Sequence, residues 1–264
     1  MPTTTSADGT TIAYSKVGSG RPVILVDGAL CFRGMGPLDA LAAELAPDYT
    51  VFTYDRRGRG ESGDTAPFSV EREVEDLDAL IKEAGGSAKV FGCSSGAVLA
   101  LEAATRGLAI EKLALYEPPF IVDDSREIPT GYMDRIREHI AADRRPEALR
   151  EFMVTGVGMP AFMMVIMRLM PAWKKIKGVA HTLPYDMAVV GTTQEGKPLP
   201  ADRWTNITMP TLIADGAKSS AWMRNGVRNL TELLPQAEYQ NLAGQNHMVK
   251  PKVHAPVLKD FFGH

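Results

Sequence analysis

Apolar and polar positions along the chain follow two patterns that alternate. Residues 22–28 (PVILVDG) are a short, continuous apolar run, which is typical of a strand buried on both faces of a sheet, and residues 88–92 (AKVFG) are predicted as a further strand. Residues 37–46, by contrast, carry leucines at helical spacing after a proline suited to a first helical turn. The alternation continues in predicted strands at residues 10–18, 50–55, 111–117, 209–216 and 237–244, and in predicted helices at residues 70–85, 96–107, 221–234 and 251–262. It predicts an α/β fold with a mostly parallel, doubly wound sheet.

The alternation stops between residues 118 and 202. This stretch reads as several helices, contains eight of the 13 methionines and has no clear buried strand. The simplest interpretation is a helical cap inserted into the chain that forms the sheet. We therefore predict an α/β core made of residues 1–117 and 203–264, and a helical cap made of residues 118–202.

Composition and charge exclude several classes of function. The 264 residues are 45% hydrophobic, enough for a sizeable core, and the net charge of -3 without basic blocks gives no reason to expect nucleic acid or an anionic membrane surface. The longest apolar run, residues 157–173, contains Arg168 and two prolines and is too short to span a membrane. Two cysteines suggest neither a disulfide framework nor a zinc site, and the N-terminus lacks the pattern of a signal peptide. We expect a cytoplasmic protein that acts on small molecules without a metal or cofactor.

The sequence GCSSG, residues 92–96, lies where a predicted buried strand meets a predicted helix. In this setting G-x-S-x-G forms a tight turn that forces its central serine into a strained backbone conformation, and the glycines avoid collisions with neighbouring backbone. Ser94 would project above the sheet edge as a nucleophile, and the amide of Ser95 would stabilise an oxyanion. The alternative is a small-residue crossing between helix and sheet, with the serine hydrogen-bonded locally.

A serine nucleophile needs a general base at neutral pH. Of the five histidines, His247 is the best placed, because it lies in the loop after the last predicted strand. His139 and His181 lie in the predicted cap, His254 in the last predicted helix and His264 at the C-terminus. For these four, a solvated surface position is the simplest interpretation.

With these residues in place, the chain resembles the α/β-hydrolase superfamily over essentially its whole length. GCSSG in its setting is the specific part of the likeness, and residues 54–62 (YDRRGRGES), the inserted helices and the late His247 agree with it. In the family, the D-x-R-G-x-G-x-S pattern, here residues 55–62, shapes a loop near the active-site rim, so we interpret its charges as structural. The resemblance implies an α/β-hydrolase fold with a helical cap.

Two positions depart from the family pattern, and the first is at the end of residues 22–28. Many members carry His-Gly there, where this chain has Asp27 and Gly28. The amide of Ala29 can still be the second oxyanion donor, because an amide does not depend on the preceding side chain. Asp27 either holds its loop by hydrogen bonds or places a carboxylate near the pocket, and we favour the loop role.

The second departure concerns the acid that orients the histidine. Family members usually carry it about three residues after the glycine that ends the penultimate strand, where this chain has Ser219. A hydroxyl cannot offset the imidazolium charge, and a neutral partner costs a triad on the order of 10⁴ in turnover. Glu117 ends the strand next to the one that delivers Ser94, and some family members take their acid from this strand end. We therefore predict Glu117 as the acid.

Three aspartates are weaker candidates for the acid. Asp215 precedes Gly216 within its strand and is expected to point away from the histidine, whereas Asp123 and Asp124 lie inside the predicted cap. The alternative for Glu117 itself is a surface or hinge residue where the chain leaves the sheet.

These residues predict a cofactor-free serine hydrolase for a small, uncharged carboxylic ester or lactone with an apolar acyl or alcohol group. Perhydrolysis and carbon–carbon bond hydrolysis are alternatives on the same scaffold, whereas enzymes with an aspartate nucleophile do not fit Ser94. A receptor with little turnover is the hypothesis from another class, and Ser219 motivates it. Most of the cap methionines are expected to pack within the cap, and some to cover Ser94: Met159, Met163, Met164, Met167 and Met170.

Overall fold

The computed structural model describes residues 1–263, and eight of its segments form one sheet. The strands are β1 (Thr3–Thr5), β2 (Thr11–Val17), β3 (Arg21–Val26), β4 (Tyr49–Tyr54), β5 (Ala88–Cys93), β6 (Ile110–Tyr116), β7 (Thr211–Gly216) and β8 (Ala237–Leu242). They pair in the order β1-β2-β4-β3-β5-β6-β7-β8. β2 is antiparallel to both β1 and β4, and all other neighbours are parallel. The predicted mostly parallel sheet is confirmed.

Helices cover both faces of this sheet. The ten α-helices are α1 (Leu38–Leu45), α2 (Val70–Glu83), α3 (Ser95–Thr105), α4 (Tyr132–Ala141), α5 (Arg145–Arg150), α6 (Met163–Leu169), α7 (Trp173–Val179), α8 (Leu183–Val190), α9 (Ala221–Leu233) and α10 (Pro251–Phe262). Buried side chains of α2, α3 and α9 form one apolar cluster with the sheet, and those of α1 and α10 form another. Every residue of β5 and β7 is therefore buried, which explains why their sequences are mostly apolar, with Lys89 and Asp215 as the charged exceptions.

Five helices, α4 to α8, lie between β6 and β7 within residues 118–202, which we call the insertion. A π-helical turn, Glu151–Gly156, and a 3₁₀ turn, Ala180–Thr182, complete it, and no strand occurs in this part of the chain. Most of its buried apolar side chains form a cluster separate from the two on the sheet, and Leu30 from the loop after β3 joins that cluster. The others belong to the sheet cluster of α2, α3 and α9: Phe120, Val122, Val189, Val190 and Leu199. The division of the chain into two domains at these boundaries stays a prediction.

The structure adds β1 to the strands that the sequence pattern indicates. β1 is three threonines long and pairs antiparallel with β2, with Thr3 opposite Ala13. A three-residue edge strand is too short to show the two-residue alternation of apolar and polar side chains. Backbone pairing rather than apolar burial holds it in place. Within residues 1–263, no helix has the length and apolar character needed to cross a bilayer.

Candidate active site

Ser94 occupies a sharp turn between β5 and α3. Its backbone angles, φ 55° and ψ -128°, are strained for a residue with a side chain. A Cβ atom at Gly92 would lie 2.5 Å from the carbonyl oxygen of Gly96, and one at Gly96 would collide with the carbonyl oxygen of Val26. The two glycines of GCSSG are therefore required by close backbone approach, as the motif predicts.

The side chains of Ser94, His247 and Glu117 form a continuous chain of hydrogen bonds. The distance from Oγ of Ser94 to Nε2 of His247 is 3.2 Å, and Nδ1 of His247 lies 2.7 Å from Oε2 of Glu117. A carboxylate only accepts hydrogen bonds, so we assign the ring proton to Nδ1. Nε2 is then free to accept the serine hydroxyl proton.

Glu117 follows β6 and is fully buried, so it is not the surface residue of the alternative interpretation. Its second carboxylate oxygen, Oε1, accepts a hydrogen bond from the backbone N–H of Gly216 at 2.7 Å, and its own N–H donates to the carbonyl of Ala214 at 3.1 Å. The residue has a φ of 47°, which is uncommon outside glycine. These contacts hold the carboxylate against His247.

The loop that carries His247 is anchored to the ends of β6 and β7. The hydroxyl of Tyr116 donates to the carbonyl of Asn246 at 2.5 Å, and the N–H of Lys218 donates to the carbonyl of Gln245 at 2.8 Å. A Cβ atom at Gly216 would lie 2.5 Å from the carbonyl oxygen of Gln245, so the two loops are in close contact. The loop that carries the imidazole is thus held by contacts from the ends of β6 and β7.

The rival acids lie elsewhere. Asp215 accepts hydrogen bonds from Tyr239 at 3.1 Å and Asn241 at 2.5 Å, both on β8, so it faces away from His247 as expected. Asp123 accepts hydrogen bonds from Ser125 and Asn225, and Asp124 is exposed.

Ser219 lies on the cavity wall, at the position where family members usually carry the acid. Its Oγ is buried and has no hydrogen-bond partner in the part of the chain that the structure describes. The hydroxyl therefore does not replace the carboxylate, because His247 is already bound by Glu117.

The other described histidines make their contacts with residues other than Ser94. His254 is buried, not solvated as expected: its ring stacks edge-on against Tyr116, and burial holds its pKa below the usual value despite a hydrogen bond to Lys250. His139 and His181 bond other residues of the insertion, and His264 lies outside the described residues.

Two backbone N–H groups near Ser94 are free. Ala29, after β3, and Ser95, the first residue of α3, line the same cavity as Ser94. Neither N–H makes a hydrogen bond within residues 1–263. A Cβ atom at Gly28 would lie 3.1 Å from that of Ser94, which shows how closely the loop after β3 approaches the serine. Free donors at this place suit a developing oxyanion.

The cavity above Ser94 has a volume of about 260 Å³ and is mostly apolar. The insertion contributes Tyr132, Phe152, Val157, Met187 and Val190. The loops after β7 and β8 contribute Lys218, Asn246 and Met248, and the start of α9 contributes Trp222 and Met223. Lys218 is an exposed cation that the sequence did not indicate for this wall.

The methionines that the sequence suggested as a cover for Ser94 do not line the cavity, so that expectation is wrong. Met164 is buried in the apolar cluster of the insertion, Met159 and Met167 pack against it, and Met170 is exposed. Met187, Met223 and Met248 line the cavity instead. Met164 and Met167 of α6 contribute to the apolar cluster of the insertion rather than to the wall above Ser94.

A buried ion network lies beneath the serine. Arg56 binds both oxygens of Glu73 at 2.6 and 2.8 Å, and Asp186 of α8 binds Arg56 at 2.8 Å and Arg59 at 2.7 Å. The Ser95 hydroxyl donates to Asp186 at 2.7 Å. Burial acts to raise the pKa of Asp186, but the two arginines and the serine hydroxyl hold it below its usual value.

Sequence reasoning missed Asp186, although a signal was present. It is the single charged residue of the apolar helix α8 (LPYDMAVV), and a charge on an apolar helix must be paired where it is buried. The interpretation of the arginines in residues 55–62 as structural agrees with their burial in ion pairs.

Asp27 holds its own loop, which is the role favoured from the sequence. Its Oδ1 accepts the N–H of Gly28 at 3.1 Å, and it is not among the residues that line the cavity. Burial raises its pKa to about 7, although Gly28, Arg59 and Arg56 act in the opposite direction.

Known proteins resemble this chain in sequence and in structure. The model of the Alpha/beta hydrolase family matches residues 18–251. An alpha/beta hydrolase from Sphaerobacter thermophilus DSM 20745 is 49% identical, with a TM-score of 0.92 over 99% of this chain and 100% of that one. The curated hydrolase YraK of Bacillus subtilis (strain 168) is 38% identical over 110 residues, which is 39% of each chain.

A thermophilic esterase from Thermogutta terrifontis shares the shape at lower identity. It is 21% identical, with a TM-score of 0.72 over 99% of this chain and 97% of that one, so the likeness concerns the fold alone. The match of the family model to most of the sequence agrees with the sheet order and with the sharp turn at Ser94. The chain therefore belongs to the alpha/beta hydrolase family.

Proposed function

We propose that this protein is a cofactor-free serine hydrolase that cleaves a small, uncharged carboxylic ester or lactone through an acyl-enzyme. The observation that carries the proposal is the hydrogen-bond chain from Ser94 through His247 to Glu117, beside a cavity that Ser94 lines. A serine alcohol, a histidine base and a buried carboxylate in this order suit nucleophilic catalysis.

In the first half of the reaction, Nε2 of His247 takes the hydroxyl proton of Ser94 while Oγ attacks the substrate carbonyl carbon. The bond from that carbon to the leaving oxygen then breaks, and the proton on Nε2 passes to the leaving alcohol. Glu117 keeps the ring oriented and offsets the imidazolium charge between these steps.

The N–H groups of Ala29 and Ser95 hold the negative charge that develops on the carbonyl oxygen. Both are free of other acceptors and are fixed before substrate arrives, so little reorganisation is needed. A water molecule, activated by His247, attacks the acyl-enzyme in the second half and releases the acid and Ser94.

The contact between Glu117 and His247 favours an enzyme over a receptor. The receptor hypothesis was motivated by Ser219 at the position of the usual acid, which would leave the imidazolium without a counter-charge. The carboxylate from the end of β6 lies 2.7 Å from Nδ1 of the histidine, so the counter-charge is supplied from another strand. The esterase of Thermogutta terrifontis shows that the same fold carries such an activity in another protein.

The cavity supports a small substrate with an apolar group. About 260 Å³ lies below the range for drug-sized ligands, and aromatic, aliphatic and methionine side chains dominate its wall. Asp186 also reaches this wall, but its charge is balanced by Arg56 and Arg59. A neutral ester or lactone with a short acyl chain fits these properties.

The test is the turnover of p-nitrophenyl butyrate by the wild type and by Ser94→Ala. We expect a burst of p-nitrophenol equal to the enzyme concentration, followed by slower steady turnover, and neither in the variant. Labelling by a p-nitrophenyl phosphonate, followed by mass spectrometry, should place the adduct on Ser94. Unchanged turnover in Ser94→Ala would remove the serine from the mechanism, and carbon–carbon or peracid activity in preference to esters would change the reaction class.

A further inference from the structure

The carboxylate of Asp186 is connected to both free N–H groups beside Ser94, although it comes from the insertion. One oxygen accepts the hydroxyl of Ser95 at 2.7 Å, and the other accepts Nη2 of Arg59 at 2.7 Å. Asp186 is 3% exposed and Arg59 1% exposed, so water does not weaken these bonds. The connection to Ala29 passes through Arg59.

Arg59 fixes the orientation of the Ala29 amide. Its Nη1 donates to the carbonyl oxygen of Gly28 at 2.7 Å. That carbonyl belongs to the same planar peptide group as the N–H of Ala29, and in a trans peptide the two bonds point in opposite directions. Holding the Gly28 carbonyl on the buried side therefore points the Ala29 N–H to the cavity, and a charged donor on the carbonyl also polarises the N–H.

Arg59 depends on Asp186 for its own position. Within the described residues, Arg59 makes one ion pair, and its partner is Asp186. Arg56 also binds Asp186, but it has a second carboxylate partner in Glu73. Nε of Arg59 is buried without an acceptor. Without the charge of Asp186, Arg59 would be a buried guanidinium with no ion-pair partner, because the nearby Asp27 makes no ion pair with it. Keeping Arg59 at the Gly28 carbonyl would then be energetically costly.

The insertion also holds the loop after β3 through an apolar contact. Leu30, directly after Ala29, has a φ of 63° and is buried in the apolar cluster of the insertion with Tyr132, Leu149 and Leu183. A leucine keeps this backbone conformation only where its surroundings enforce it. The Ala29 peptide is thus held on one side by Arg59 and on the other by Leu30.

We propose that Asp186 is a positioning residue that fixes the oxyanion-binding amide of Ala29 through Arg59, and that the insertion thereby forms part of the catalytic apparatus. The inference rests on the proposed function. Ser95 depends less on Asp186, because the start of α3 already orients its amide: the Ser94 carbonyl accepts the N–H of Ala97 at 2.9 Å. The effect of Asp186 therefore falls mainly on the Ala29 donor.

The first test is Asp186→Asn, which keeps the shape of the side chain but removes its charge. We expect kcat to fall on the order of 10²-fold, at the lower end of the effect of losing one oxyanion donor, with KM changed less than roughly threefold. The inhibition constant of a trifluoromethyl ketone, which forms a tetrahedral oxyanion on Ser94, should rise in parallel with the loss of kcat. Unchanged kcat in the folded variant would overturn the proposal.

Asp76→Asn is the matched control. Asp76 of α2 is also a buried carboxylate and is 1% exposed. It binds Arg57 at 2.7 and 2.8 Å, and no contact with the loop after β3 is found for it within the described residues. Its loss should lower the melting temperature but leave kcat and the ketone inhibition near the wild-type values. An equal loss of kcat in both variants, or a loss of kcat in Asp186→Asn without weaker ketone binding, would show a purely structural role and contradict the proposal.

Arg59→Lys decides the matter if Asp186→Asn does not fold. Lysine keeps the charge opposite Asp186 but lacks the planar fork that reaches two acceptors at once. It should show the same parallel loss in kcat and ketone binding, and wild-type kinetics would overturn the proposal. Ser94→Ala is measured alongside. If this variant is inactive, the serine mechanism holds, and unchanged kinetics in Asp186→Asn would count against the positioning role alone. An active Ser94→Ala would contradict both the serine mechanism and the positioning role.

Discussion

At the scale of single residues, Asp27 shows how burial and charge compete beside the active site. Its carboxyl group is 6% exposed, accepts the N–H of Gly28 and lies near two arginines, Arg56 and Arg59. Burial outweighs these favourable partners and raises its pKa to about 7. The folded protein therefore binds a proton at a pH where the unfolded chain, with a pKa near 3.8, does not.

We predict that Asp27→Asn gains stability relative to the wild type as the pH rises. Since the folded pKa is above the unfolded one, the contribution of Asp27 to stability is largest below about pH 4, falls as the pH rises to about 7 and is constant above it. Asparagine can accept the Gly28 N–H but has no such dependence. The difference in melting temperature between variant and wild type should therefore grow from pH 4.5 to pH 8, by the equivalent of about 1.4 kcal/mol per unit of pKa shift.

Thermal unfolding at several pH values measures this difference. A melting-temperature difference that stays constant from pH 4.5 to pH 8 would contradict a raised pKa at Asp27. The residue could be identified from the sequence as a departure from the family pattern, but its protonation could not. Its burial depends on packing against residues distant in the sequence, such as Cys93, whose Sγ lies 3.8 Å from Oδ1 of Asp27. This packing is not visible in the residues next to Asp27 in the sequence.

At the scale of elements, the turn from β5 to α3 is the feature that the sequence specifies most completely. A side chain at either glycine would collide with β3 or α3, and the fully buried strand β5 is mostly apolar in the sequence. Local physics therefore predicted the strand, the turn and the position of Ser94 together. β1 and the exposure of Val165, Ile166 and Leu169 on α6 were less predictable, because tertiary contacts rather than local pattern determine them.

We predict that Gly96→Ala destabilises the protein and lowers its activity. The added Cβ would collide with the carbonyl oxygens of Val26 and Asp27, and these backbone atoms cannot move without displacing β3. Overpacking of this kind costs about 1–3 kcal/mol, and the shift of Ser94 should reduce kcat as well. Urea unfolding and esterase turnover measure the two effects.

Gly178→Ala is the control for this substitution. Gly178 lies in α7, and a Cβ atom there meets nothing within 4 Å, so alanine should be neutral or stabilise by about 0.5–1 kcal/mol. Equal stability and activity of the two alanine variants would mean that the turn tolerates a side chain at position 96, contrary to the account given for GCSSG.

At the scale of the whole molecule, the sheet order brings the candidate catalytic residues together. Ser94 and Glu117 follow the neighbouring parallel strands β5 and β6, and His247 follows β8, two strands further along the same edge. The mostly parallel sheet and the late histidine could be inferred from the sequence and from the family resemblance. The link between Asp186 and Ser95 could not, because it joins residues 91 positions apart through a helix whose docking the pattern does not fix.

The insertion therefore does more in this structure than cover the sheet. It supplies part of the cavity wall through Tyr132 and Met187, and it sends Asp186 into the ion network beneath Ser94. The volume and character of the cavity could not be predicted from the methionine-rich segment, since α6 directs those side chains to the insertion's own cluster.

The account as a whole depends on a carboxylate that comes from β6 instead of from the loop after β7. Its most direct test is kcat for p-nitrophenyl butyrate in Glu117→Gln, with Asp215→Asn as the matched control. Glutamine can still accept the N–H of Gly216, so the fold should be kept, but it cannot offset the imidazolium charge on His247. We expect kcat to fall by about 10³–10⁴ in Glu117→Gln and by less than roughly threefold in Asp215→Asn, whose carboxylate contacts Tyr239 and Asn241. Near-wild-type kcat in a folded Glu117→Gln, or an equal loss in Asp215→Asn, would contradict the assignment of Glu117 as the acid.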